Sequence, residues 1–150
     1  MSKNTVERYL YLLKDAYVLF PVEGFQKNLR KEISKSRKWY FIDTGIRNAI
    51  ISDFKGTEFR PDIGQLWENY VVIERLKYHR STLQSTNLHF WRTYDRQEID
   101  LIETNGNEIQ AFEIKWKLGS KPVNVPKGFS KAYPYAEFRV VDKNNIYDFI

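Results

Sequence analysis

The dipeptide Asn105-Gly106 constrains this chain more than any other feature. Asn-Gly accepts positive φ at both central positions of a tight turn, so between two alternating runs it signals a hairpin. It lies within the tetrad Thr104-Asn105-Gly106-Asn107, between strands expected over 98–103 and 108–117. A strand over 88–94 precedes them across a turn at Asp95-Arg96. Three strands joined in this way form an antiparallel meander.

The remaining elements follow from periodicity and punctuation. Val6, Tyr9, Leu10, Leu13 and Tyr17 recur at helical spacing after the capping residues Ser2 and Asn4. VLFPVEGF reads as a short extended piece, KWYFIDTGI as a strand over 39–42 with a turn at Thr44-Gly45, and 46–52 as a short helix. GQLWENYVVIERLKYHR carries a helix expected over about 63–78, and Glu68 lies on the flank shared with Val72, Arg75 and His79. A short helix over 126–133 precedes Pro134, and 138–142 reads as a last, buried strand. That strand follows a crossover, so it is expected to pair in parallel. The chain thus reads as α/β, with a first part over 1–58 and a second over 59–150.

Its 150 residues suffice for one ordinary core, and an aromatic content of 16% argues against disorder. No cysteine occurs and only two histidines, His79 and His89, which disfavours disulfides and Cys- or His-based metal sites. The opening MSKNTVERYL is polar and helical rather than a signal peptide, and no apolar run is long enough to span a bilayer, so a cytoplasmic protein is expected. There is no GxxxxGK[ST], GxSxG or GxGxxG, so the chain is not expected to be a P-loop ATPase on its own.

The net charge of +5 is local. Between Lys27 and Lys38 stand six basic residues, Lys27, Arg30, Lys31, Lys35, Arg37 and Lys38, against the single acid Glu32. This stretch is a candidate contact for a phosphate backbone; a solvated hairpin kept soluble by lysines is the plain alternative.

Alternation selects the residues for chemistry. In AFEIKWK, Glu113, Lys115 and Lys117 share one face, and Phe112, Ile114 and Trp116 the other. On the preceding strand Glu98, Asp100 and Ile102 share a face, and the hairpin brings Asp100 beside Glu113. Paired carboxylates are costly without a cation between them. Such oxygen ligands suit Mg²⁺ or Mn²⁺, and a lysine two residues on can orient a water and stabilise phosphate charge. Glu-x-Lys on a strand is by itself usually a solvated ion pair. Asp100 carries more weight, because aspartate is depleted from strands. A helix-borne glutamate such as Glu68 is most often plain surface.

The blocks TVERYLYLLKDAYVL, KWYFIDTGIRNAI, GQLWENYVVIERL, QEIDLI and AFEIKWK together resemble the C-terminal region of predicted AAA-type ATPases of bacteria and archaea. That region is a domain of unknown function with a PD-(D/E)xK, restriction-endonuclease-like fold. The resemblance implies a nuclease-like core (helix, three-stranded meander, helix, strand) behind a winged-helix-like tail with a basic wing. It carries over Glu68, Asp100, Glu113 and Lys115 as the catalytic set. Asp100, Glu113 and the Ile114 carbonyl would hold Mg²⁺ or Mn²⁺. Ile99 stands where the superfamily name has proline. The implied partners are DNA and an ATPase module, fused or separate.

These readings lead to a metal-dependent DNA nuclease-like domain. The alternatives are a nuclease fold that binds DNA without cutting it, and an interaction domain of an ATPase, or a homodimer, with Trp39, Trp67 and Trp91 exposed at the interface.

Overall fold

The structure, a computed structural model, describes residues 2–26 and 36–150. Six strands form one mixed sheet in the order β2-β1-β3-β4-β5-β6. They are β1 (Leu19–Gly24), β2 (Arg37–Phe41), β3 (Asn87–Arg92), β4 (Glu98–Asn105), β5 (Glu108–Ile114) and β6 (Glu137–Val141). Four helices accompany them: α1 (Lys3–Asp15), α2 (Thr44–Ile50), α3 (Ile63–Ser81) and α4 (Lys127–Ala132).

The meander is present, with β3–β4 and β4–β5 antiparallel, and β6 pairs with β5 in parallel. The two-residue turn is Gly106-Asn107, one position later than expected: Asn105 ends β4 and pairs with Glu108, and of these residues Gly106 alone takes a positive φ, 58°. β1 pairs with β2 antiparallel and with β3 in parallel, so the first part of the chain extends the same sheet as the second.

Two apolar layers flank the sheet. Val71 and Val72 of α3 lie in one core with Val22, Phe90, Leu101 and Phe112. Phe129 of α4 and Tyr133 lie in the other with Trp91, Ile99, Ile102 and Ala111. Adjacent residues Phe90 and Trp91 serve opposite layers, as strand alternation requires.

Strand β4 breaks that alternation. The register runs His89↔Ile102 and then Trp91↔Ile99. One residue on β3, Phe90, therefore faces two on β4, Asp100 and Leu101, which is a β-bulge. Ile102 joins Ile99 in the α4 layer, and Leu101 packs in the α3 layer. Asp100 and Ile102 were expected on one face; the extra residue shifts the phase between them. Bulges re-aim a side chain in this way, and here the residue affected is the central aspartate.

Two further expectations change. β5 ends at Ile114, so Lys115 and Lys117 lie beyond the strand, although the Lys115 N–H still donates to the Val141 carbonyl at 2.9 Å. Trp67 and Trp91 belong to the two cores and are not exposed, which removes them from any aromatic interface. Helix α1, by contrast, has no buried residue.

Candidate functional site

Local chemistry sets the frame. The Asp43 side chain caps α2 through the Gly45 and Ile46 N–H groups. Arg47 of α2 and Arg60 both bind Asp62, at 2.7 Å and 2.9 Å, just before α3 begins. About two turns into α3, Asn69 reaches the main chain of β2: its Oδ1 accepts from the Phe41 N–H at 2.8 Å, and its Nδ2 donates to the Phe41 carbonyl at 2.7 Å. The side chain thus serves both hydrogen-bonding groups of one residue on an edge strand. The adjoining Glu68 is consequently held against β2.

Glu68, expected to be the weakest of the set, is turned inward. Its Oε1 accepts from the Tyr40 hydroxyl at 2.7 Å and from Lys38 Nζ at 2.9 Å. The flank it shares with Val72, Arg75 and His79 faces the sheet: Val72 is fully buried, and Arg75 and His79 both contact Glu103 of β4.

Lys38 also reaches Glu98 Oε1 at 2.6 Å and stands 3.9 Å from Asp100 Oδ1. Its ammonium lies over the Phe90 ring, 5.5 Å from the centroid. Glu98 is held on its other oxygen by Arg92, at 2.8 Å and 2.6 Å. Asp100 accepts from the Ile114 N–H at 2.8 Å through Oδ2. The pairing Leu101↔Phe112, continued by one step, sets Asp100 opposite Glu113. Lys115 Nζ donates to Glu113 Oε1 at 2.6 Å.

Four carboxylates (Glu68, Glu98, Asp100, Glu113) and two ammonium groups (Lys38, Lys115) thus occupy one region. The imbalance falls on Asp100. Burial first, then the charges of Glu68 and Glu113, push its carboxyl up to about 6, against the pull of the Ile114 N–H and Lys38. Tyr40 is held far above its usual range by burial and by the Glu68 charge, so it stays a hydrogen-bond donor. For Lys38 and Lys115 burial opposes the charge, but the surrounding carboxylates outweigh it and both are raised. Burial also works against ionisation of Glu98, but Lys38 and Arg92 keep its carboxyl below the ordinary value.

The donor set fits a hard divalent cation in its chemistry: carboxylate oxygens, largely shielded from water, with more negative than positive charge. Among the described residues no three His, Cys, Asp or Glu side chains are grouped to hold a metal ion. A cation here would rest on the two carboxylates Asp100 and Glu113 with main-chain oxygen such as the Ile114 carbonyl.

Of the basic stretch, Lys27, Arg30, Lys31 and Lys35 lie outside the described residues. Arg37 pairs with Glu23 at 3.1 Å and stands over the Tyr11 ring, while Lys38 belongs to the acidic cluster. Sequence reasoning did not connect Tyr40, Lys38, Glu98 or Asn69 with the site. The alternation of Lys38 and Tyr40 in KWYF and of Glu98 with Asp100 held the signal, but only the pairing of β2 with α3 reveals it.

The fold and this cluster define a mixed α/β domain with a lysine-bearing acidic site. The chain belongs to the family described as Domain of unknown function (DUF4143), which matches residues 63–149. Residues 1–57 match a second family, Domain of unknown function (DUF8612). Two mycobacterial proteins are similar to the chain: uncharacterized protein Mb2031c of Mycobacterium bovis and uncharacterized protein Rv2008c of Mycobacterium tuberculosis. Each is 32% identical over 117 residues, covering 77% of this chain and 26% of its own length. The chain therefore spans about a quarter of these relatives. No solved structure matches it. Among the described residues no helix is long and apolar enough to cross a membrane.

Proposed function

We propose that the chain is a metal-dependent, DNA-directed nuclease-like domain with a PD-(D/E)xK site on a restriction-endonuclease-like core, α3 through β6. The observation that carries this reading is the meeting of the shielded Asp100 carboxylate, opposite Glu113 across the β4–β5 pairing, with the Lys115 ammonium on Glu113 and Glu68 close enough to add its charge. Asp100, Glu113 and the Ile114 carbonyl would hold Mg²⁺ or Mn²⁺. When bound, such an ion polarises a phosphodiester and lowers the pKa of an attacking water.

The chain's own groups supply the rest. Lys115 positions the water and offers charge to the phosphate. Its ion pair with Glu113 keeps it protonated and near the cluster. Glu68, fixed by Tyr40 and Lys38, contributes the charge that keeps Asp100 in demand of a cation. DNA is the proposed substrate, with the basic stretch 27–38 along its backbone. An AAA-type ATPase module, fused or separate, in the cytoplasm is the proposed partner. In that arrangement α1 serves as the winged-helix-like tail.

The test is nicking of supercoiled and branched DNA with Mg²⁺ or Mn²⁺. Activity lost in both Asp100→Asn and Lys115→Ala is the expected result, and activity that survives both overturns the reading.

A second reading has its own support. Tyr9, Leu12 and Tyr17 are exposed on or just after α1. A fold that docks an ATPase or DNA without cutting would use such a surface. It predicts salt-sensitive, metal-independent DNA binding and no cleavage.

A further inference from the structure

We propose that Lys38 is a tethered cation that occupies the Glu68–Glu98 half of the acidic cluster and so limits it to one divalent ion, in the Asp100–Glu113 half. The inference rests on the nuclease-like reading of the site and adds a residue that determines its cation stoichiometry.

The two halves of the cluster differ in how far they are closed. In one, the Lys38 ammonium bridges Glu68 Oε1 at 2.9 Å and Glu98 Oε1 at 2.6 Å. Each carboxylate also has another donor, Tyr40 on Glu68 and Arg92 on Glu98. Lys38 itself is held by its strand, which Asn69 anchors to α3, and by the Phe90 ring beneath the ammonium. In the other half, Asp100 has the Ile114 N–H and a distant Lys38, and Glu113 has only the half-exposed Lys115 among the bonds described.

A primary ammonium 2.6–2.9 Å from two carboxylate oxygens takes the place a hard cation would otherwise take between them. Lys38 is carried by β2, within the segment matched by a different family from the one covering Glu68, Asp100 and Glu113. The N-terminal part thereby completes the charge balance of a site whose four carboxylates lie in the C-terminal part.

Mn²⁺ binding to the full chain, followed by calorimetry and by the loss of the free-ion electron spin resonance signal, tests this. Wild type is expected to bind one Mn²⁺ and Lys38→Met two, with Lys38→Arg restored to one. One ion in both wild type and Lys38→Met overturns the role of Lys38 and leaves the proposed nuclease-like site standing. No ion in either overturns both. Two ions in wild type overturns the limit set by Lys38. Binding only after the lysine is removed supports Lys38 as the occupying cation and instead refutes a metal site in the native chain. Lys38→Gln guards against a folding defect. If thermal melting shows that neither Met nor Gln yields a folded chain, Lys38 is structural and the proposal fails.

Discussion

Asp100 and Glu103 stand three residues apart on β4, both on the side of α3, and they are treated in opposite ways. Glu103 is answered in full. Arg75 grips both its oxygens, at 2.6 Å and 2.8 Å, and His79 Nε2 lies 3.0 Å from Oε1. The same Arg75 donates to the Phe149 carbonyl and stands over the Phe149 ring, so one ion pair ties α3, β4 and the last residues together. Asp100 has one main-chain donor, a lysine no nearer than 3.9 Å and two like-charged neighbours. A buried carboxylate matched by two fixed donors is a latch. One crowded by other carboxylates retains free energy that only a cation or a proton can release. Within a single strand the chain thus separates a structural acid from a candidate functional one.

The largest expected effect would come from breaking the latch. Glu103→Ala leaves Arg75 and His79 without their anion and should lower unfolding stability by about 4 kcal/mol, read from urea denaturation. A loss below ~1 kcal/mol would erase the contrast with Asp100.

The next effect has the opposite sign. In the metal-free protein the Asp100 carboxyl, raised to about 6 from an ordinary 3.8, keeps its proton in the folded state where the unfolded chain has lost it. Stability therefore falls as pH rises through that window and levels off above it. Asp100→Asn should flatten the fall and gain up to about 3 kcal/mol at pH 7. A steeper pH dependence in that variant would count against the charge imbalance.

Metal should act on the same group. Mn²⁺ at a hundred times its dissociation constant should stabilise the wild type by about 2.7 kcal/mol and leave Asp100→Asn unchanged in a thermal shift. Equal shifts in the two proteins would place the ion elsewhere. Tyr40→Phe, which deletes one hydrogen bond to Glu68, should cost about 1 kcal/mol. Arg92→Ala touches only a half-exposed pair with Glu98 and should cost less than about 0.5 kcal/mol; a larger loss would mean that this outer clamp is part of the latch.

The meander and the long helix were legible in the sequence because each depends on neighbours a few residues away, and the parallel last strand followed from its crossover. The hairpin brought Asp100 near Glu113, but setting them directly opposite depends on the turn falling at Gly106-Asn107 rather than at Asn105-Gly106. The bulge was not legible. The acids at 98, 100 and 103 are spaced by two and then by three, yet only the register against β3 shows that Asp100 and Leu101 both face Phe90. Glu68 entered the candidate set through the family resemblance alone, because helix periodicity gives a line of residues but not the direction in which that line faces.

By itself, the sequence determined the local elements, the hairpin and the candidate trio Asp100, Glu113 and Lys115, since turn propensity and strand alternation act over short range. The tertiary structure decided which charges meet. It turned Lys38 from the basic stretch into the counter-ion of Glu68 and Glu98, and it paired Glu103 with Arg75 and His79. The reason is physical: burial and Coulomb energy depend on distances between elements far apart in the chain, and those distances exist only once α3 has docked across β2 and β4.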